Sequence, residues 1–300
     1  MTTQTRLMLV FTGMCLIWGS TFVALKMGME GTPPLLGVAL RHLLASAILF
    51  AVIRLKRFTI PTDPLAWKQY LTLGLLNFSL SYSLTYLGAQ FIYSNITALL
   101  WASFPITTAL VAHFTLPAER LRPLKSAGIA VGFGGVLLIF YGYGFGQSQN
   151  LLLGMWLVMA AVVAGTWPGI YLKRTGARSN PIVLNGVATG IGGLATLVVS
   201  LAFEDVGSMV WSPGNLGLLL YLALFGTVLA WVAYYYLLEH IEVVKVSFVG
   251  FISPVLAIFM GMLILGEHLP STVYLGTALV LVGIFLADAR RYLRLIKPRA

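Results

Sequence analysis

The chain has 300 residues, 9% of them charged and 59% hydrophobic, where a soluble domain carries roughly a quarter charged residues, so it reads as an integral membrane protein. The net charge of +10 raises nucleic acid as a partner, but the basic residues sit in short connections between apolar runs, which excludes that reading. The longest gap between apolar runs, residues 54–69, leaves no room for a nucleotide-binding module, and no Gly-Lys-Ser/Thr phosphate loop occurs, which argues against ATP-driven transport within this chain.

A helix needs about 20 apolar residues to cross the hydrocarbon. Ten segments are candidates: 7–27, 35–53, 70–89, 96–116, 124–142, 151–171, 181–203, 216–238, 244–265 and 271–289. The first is long, has one basic residue before it and lacks a small-residue cleavage site, so it reads as a retained helix rather than a signal peptide. It holds the lone Cys15, which cannot build a disulfide framework or a metal cluster, and Trp18 at its middle. No cofactor is expected.

The second segment opens after Gly31-Thr-Pro-Pro34, where proline in the first turn costs little. Arg41 then lies roughly 10 Å down the helix. Burying it costs on the order of 3 kcal/mol, so it either binds a substrate carboxylate, snorkels outward or pairs with helix-end carbonyls. Lys26 and His42 read as boundary anchors. In the third segment Phe78, Tyr82 and Tyr86 share a face, with Asn77, Ser81 and Thr85 on the neighbouring one. The fourth carries Trp101 one turn before Pro105, a helix break that removes a backbone hydrogen bond. His113 near its end is a weak gate or relay candidate. The fifth carries Gly128, Gly132 and Gly135, small residues that either pack the scaffold or form a homodimer face.

The uncharged stretch from Gly142 to Asn150 reads as an external linker. Trp167 and Tyr171 mark the sixth segment, and Ser179-Asn-Pro181 opens the seventh. Trp231 and Tyr235 lie in the eighth, Pro254 in the ninth, Gly276 and Gly283 in the tenth. A forward slide of about 148 positions lays Tyr86 on Tyr235, Pro105 on Pro254, Glu119 on Glu267 and Gly128/Gly135 on Gly276/Gly283. The chain is therefore built twice, as residues 1–146 and 147–300. Five segments per half is odd, so similar halves must enter the membrane from opposite sides. With the N-terminus in the cytoplasm, 17 of the 19 Lys and Arg residues fall inside, the positive-inside pattern. The expected fold is all-α: ten transmembrane helices in a 5+5 inverted repeat, with both termini cytoplasmic.

Trp18-Gly-Ser-Thr21, Arg41, the Pro105/Glu119 pairing and its second-half counterpart together resemble the drug/metabolite transporter superfamily, specifically its EamA-type exporters. The resemblance spans nearly the whole chain and implies a ten-helix inverted repeat in a bacterial inner membrane that exports amino acids or other small metabolites by alternating access. The second half departs by carrying Ala188 where the repeat would place Arg41, and Ala118-Glu119 replaces the more usual Gly-Glu.

Rings at mid-membrane depth suit a wet cavity lined by Trp18, Phe78, Tyr82, Tyr86, Trp101, Trp167, Tyr171, Trp231 and Tyr235, with Arg41 as its cation and Pro105 and Pro254 as helix breaks. Such a site takes a small metabolite, an amino acid with aromatic or apolar bias foremost, or, through its rings, a cationic drug. A sugar-phosphate or nucleotide-sugar exchanger would need several deep basic residues, and Arg41 is alone. Cation exchange through a buried carboxylate is disfavoured, since all nine acidic residues lie at helix ends or in loops. A channel remains open as a reading. An intramembrane enzyme would pair Ser103 with His113, which a helix separates by about 15 Å.

Overall fold

The computed structural model describes residues 3–117, 123–142, 149–266 and 270–296, and the regular elements among them are all helical. Helix α1 spans Thr3–Gly28 and α2 Pro34–Lys56. Helix α3 covers 64–89 as an α-helix Pro64–Leu71, a π-helix Thr72–Ser81 and an α-helix Tyr82–Ala89 in direct succession. Helix α4, Ser94–Thr115, is broken into Ser94–Trp101 and Phe104–Thr115. Then follow α5 (Pro123–Gly142), α6 (Gln149–Thr175) and α7 (Pro181–Phe203). Helix α8, Pro213–His240, contains a π-helix at Leu224–Leu229. Helix α9 covers 243–265 in two pieces, Val243–Ser247 and Val249–Leu265, and α10 is Ser271–Ile296. Six of these, α1, α2, α4, α6, α7 and α8, are long and apolar enough to cross a membrane.

The starts follow local chemistry. Proline occupies the first turn of α2, α3, α7 and α8, and the side chains of Asp63, Asn180 and Ser212 accept backbone N–H groups of the last three. Helix α3 therefore begins at Pro64 rather than at residue 70. Lys68 and Gln69 look like connection in the sequence, but Gln69 is buried and donates to Thr175 Oγ1 (2.8 Å) and the Gly176 carbonyl (2.6 Å). At the first turn of α2, the Glu204 carboxylate accepts the N–H groups of Leu35 and Leu36, each at 2.8 Å, satisfying donors the helix leaves open.

The expectation of matched breaks at the two prolines needs correction. Helix α4 breaks at Ala102–Ser103 and Pro105 sits just inside the second piece, where it lacks no partner. Pro254 lies inside the continuous piece Val249–Leu265, and the interruption of α9 is earlier, at Phe248. Glu119, Glu267 and the centre of the 142–150 linker lie outside the described residues.

Helix α2 packs along α7 and α5 along α10, while α1 lies on α9 and α4 on α6; α3 touches α6 and α7, and α8 touches α1 and α2. The α5/α10 contact runs through glycine. A Cβ on Gly135 would stand 2.5 Å from the Gly276 carbonyl oxygen, and one on Gly283 would stand 2.5 Å from that of Gly128. These glycines thus pack one helix of the chain on another, the scaffold role of the two expected. Lipid gives apolar helices no solvent-driven reason to associate, so close backbone approach supplies the attraction. Lys26 is no surface anchor. Its Nζ donates to the carbonyls of Ala89 (2.8 Å) and Ile92 (2.9 Å) past the end of α3, and Lys173 does the same at the end of α8, to Leu238 (2.6 Å) and Ile241 (2.8 Å).

Replacing Gly135 or Gly283 by leucine is expected to lower unfolding stability by about 1–3 kcal/mol, as overpacking does, and visibly lower the melting temperature of the detergent-solubilised protein. Gly134→Leu, where an added Cβ meets nothing within 4 Å, should leave it unchanged; an equal loss in all three would show that the glycine contact is not the cause.

Candidate functional site

Where α1, α2, α3, α4, α6, α8 and α9 converge, the packing leaves a cavity of about 80 Å³ as traced by a water-sized sphere, room for several waters and below the roughly 300–1,000 Å³ typical of occupied small-molecule sites. Helix α1 lines it with Trp18, Thr21, Phe22 and Leu25, α2 with Arg41, and α3 with Asn77, Tyr82 and Thr85. Across from them stand Trp101 and Phe104 at the break of α4, Gly165 of α6, Trp231 of α8, and Val249, Gly250, Ser253 and Pro254 of α9.

The π-helices set this geometry. A π-turn pairs each carbonyl with the N–H five residues on, and such segments concentrate at functional sites. In α8 the Gly226 carbonyl accepts from Trp18 Nε1 (3.3 Å), and the Thr227 and Val228 carbonyls face Asn185 Nδ2 at 3.3 and 3.5 Å. Thr227 also turns its hydroxyl to Arg41.

Arg41 is 2% exposed. Its Nε donates to Thr227 Oγ1 (2.8 Å), one terminal nitrogen donates to the Tyr86 hydroxyl (3.2 Å), and the guanidinium carbon stands 4.9 Å from the Tyr82 ring centre. A residue with a Cβ at 226 would meet Arg41 at 2.7 Å, so glycine there admits the guanidinium. Of the five N–H groups of an arginine, these bonds use two. Among the described residues no carboxylate pairs with it; the ion pairs present are Arg178–Asp63 and Lys245–Glu242, both near the surface. The result is a buried cation with spare donors at the wall of an apolar cavity.

Trp231 is the hub of the ring cluster. Its centroid lies 5.0 Å from Trp18, 5.3 Å from Phe78, 5.0 Å from Tyr234 and 5.5 Å from Tyr235, the spacing of favourable aromatic pairs. Its Nε1 donates to the Tyr82 hydroxyl at 2.7 Å. Trp101 and Phe104 form the facing pair, 5.8 Å apart.

The structure sorts the residues singled out from the sequence. Trp18, Arg41, Tyr82, Trp101, Trp231 and Pro254 line the cavity. Tyr86 stands behind Arg41, whose guanidinium it holds. Phe78 and Tyr235 are buried behind Tyr82 and Trp231 and do not reach the opening. Trp167 and Tyr171 do not line it either. Trp167 follows Gly165 by two residues, about 200° around the helix, and packs on Tyr171 with centroids 6.2 Å apart. Pro105 does not line the cavity; its ring lies 3.4 Å from where a Cβ of Gly250 would be. His42 is fully buried rather than at a boundary: its ring stands edge-on to Phe78 (5.2 Å) and Tyr82 (4.6 Å), with neither nitrogen hydrogen-bonded. Ser103 donates to the Leu100 carbonyl (2.6 Å), not to His113, whose ring packs on Phe114. Sequence reasoning missed Thr227 and Gly226, which lie 186 and 185 residues from Arg41 and carry no local signal.

The chain matches the model of the EamA-like transporter family over residues 5–141 and 152–287. It is 31% identical over 283 residues to the uncharacterized transporter YoaV of Bacillus subtilis, covering 94% of this chain and 96% of that one. With the uncharacterized inner membrane transporter YedA of Escherichia coli it shares 26% over 289 residues, covering 94% and 90%. A solved crystal structure superposes with a TM-score of 0.75 at 19% identity, covering 96% of this chain and 99% of its own, a likeness of fold.

Thr227→Val keeps the shape of the side chain and removes the acceptor of Arg41 Nε. Leaving that buried donor unmet should cost about 1–3 kcal/mol, read as a lower midpoint in thermal unfolding. An unchanged midpoint would mean that the guanidinium is held by other groups.

Proposed function

The chain belongs to the EamA-like transporter family, and within it we propose a secondary exporter of small metabolites, with amino acids bearing aromatic or apolar side chains as the substrate class. The observation that carries this reading is Arg41: a buried guanidinium with three uncommitted N–H groups opening on a cavity of rings. Such a wall attracts a carboxylate, which arginine binds in a fork of parallel hydrogen bonds, and the rings accept an apolar body. Cationic drugs fit less well, since no Asp or Glu is among the lining residues. Sugar phosphates fit less well, since Arg41 is the single base there. The outward direction is carried over from the EamA-type exporters that the sequence resembles.

The architecture we propose for this work is ten spans in two inverted halves, termini cytoplasmic, rocking about the cavity in a bacterial inner membrane. Three features support it. Advancing each helix number by five exchanges the α1/α9 contact with α4/α6 and the α8/α1 contact with α3/α6, and leaves α2/α7 and α5/α10 as themselves. The Gly135–Gly276 and Gly283–Gly128 approaches are exchanged by the same operation, as across a two-fold axis. The lysine staples at Lys26 and Lys173 are repeat-related as well.

Proteoliposomes preloaded with unlabelled phenylalanine should take up labelled phenylalanine by saturable counterflow. Arg41→Met should lower that flux at least about tenfold, the worth of a lost charged hydrogen bond, and Arg41→Lys should restore only part of it because a lysine cannot form the fork. Trp101→Ala should weaken phenylalanine more than alanine. Absence of counterflow for every amino acid, in protein that remains folded, would remove this substrate class.

A further inference from the structure

Of the hydroxyl and amide side chains that line the cavity, nearly all are committed. Thr21 donates to the Trp18 carbonyl (2.8 Å), Thr85 to that of Ser81 (2.9 Å) and Ser253 to that of Cys15 (3.2 Å), while the Tyr82 hydroxyl holds Trp231. Asn77 is different. It is 1% exposed, it lines the cavity, and neither its amide oxygen nor its amide nitrogen has a hydrogen-bond partner. A buried amide left unmet costs about 1–3 kcal/mol, a cost a sequence sheds readily by substituting leucine unless the amide meets something that comes and goes.

The position of Asn77 agrees. It lies in the π-helix of α3, whose geometry turns it toward Gly165 of α6; a Cβ at 165 would stand 3.5 Å from Asn77 Oδ1 and 3.3 Å from the Trp101 ring. The amide therefore borders the face of the cavity made by Trp101. Arg41, on α2, offers donors only, so it recognises the anionic part of a ligand and is repelled by a cationic part. Asn77 offers a neutral oxygen acceptor beside aromatic faces, which receive a cation favourably.

We propose that Asn77 is the ammonium-recognition residue of this cavity, its Oδ1 accepting from the α-amino group of a substrate whose carboxylate lies on Arg41. The inference rests on the amino-acid reading above and deepens it: the site takes zwitterions, and it separates an amino acid from the monocarboxylate that lacks only the amine. A site that hydrogen-bonds a polar group rejects the analogue without it, because its own polar atom is then stranded.

The test uses the full-length protein in lipid nanodiscs and three probes, L-phenylalanine, 3-phenylpropanoate and phenethylamine, with binding read from ligand-induced thermal stabilisation. The native protein should bind phenylalanine at least about tenfold more tightly than 3-phenylpropanoate, and phenethylamine the most weakly of the three. Asn77→Leu should bring phenylalanine to within about threefold of 3-phenylpropanoate while leaving the latter's affinity unchanged within about twofold. Without ligand, Asn77→Leu should melt no lower than the native protein, since it removes an unmet amide, whereas a structural asparagine would lower the melting point. Asn77→Gln should recover part of the discrimination. Equal weakening of phenylalanine and 3-phenylpropanoate by Asn77→Leu, or its unfolding, overturns the proposal. So does a native protein that binds both equally, an outcome that leaves the carboxylate reading of Arg41 standing. Binding of none of the three overturns both together.

Discussion

A backbone inside hydrocarbon has no water to satisfy its N–H and C=O groups, and that constraint organises this molecule. Regular helix meets it at no further cost, and the positions where the chain departs from regular helix are those where other groups step in. In the π-turn of α8, backbone carbonyls accept further donors from Trp18 and Asn185. Lys26 and Lys173 meet the carbonyls past the ends of α3 and α8. The carbonyl of Trp101, at the break of α4, lies beside Gly250 at the cavity wall, where a Cβ would stand 3.1 Å from it. Irregular backbone at membrane depth is tolerated where it borders protein or water, and here the break of α4 at Trp101 and the π-segment carrying Asn77 border the cavity.

The same constraint governs the charge. A guanidinium held by a threonine, a tyrosine hydroxyl and a ring face is positioned but not neutralised. Those groups fix its orientation from both halves of the chain, Tyr82 and Tyr86 from α3 and Thr227 from α8, while supplying no negative charge. Its field therefore remains available to whatever enters, and in a surrounding of low polarity a single positive charge counts for far more than it would at a surface.

Much of the fold was legible in the sequence, because lipid imposes coarse rules that single residues obey. Pro34 and Pro181 open their helices as their neighbours imply, and the paired glycines of α5 and α10 lie on one contact. What stayed hidden is tertiary. The segment Thr72–Ser81 has an ordinary helical composition, and nothing local marks it as π. Trp167 and Tyr171 look like Trp18 and Trp231 until the face of α6 is known, since mid-helix depth carries no azimuth. Asn77 and Thr85 were visible as a polar stripe, yet only the packed structure distinguishes the hydroxyl that is bonded from the amide that is not. Pro254 misled for a related reason: a proline removes one donor, and α9 runs on through it without a break.

Near-symmetry of scaffold and asymmetry of chemistry fit together in this chain. In the architecture we propose, the repeat supplies equivalent helices and equivalent staples, which suits two arrangements of similar energy about a shared opening. The charge is not repeated, since Ala188 stands, fully buried, at the position corresponding to Arg41. Residue 188 belongs to α7, which does not line the cavity, so a second arginine there would be a buried cation with no opening to face. In the site we propose, one arginine and one unbonded amide among rings give a small zwitterion a partner for each of its charged groups, while the apolar walls accept a variety of side chains.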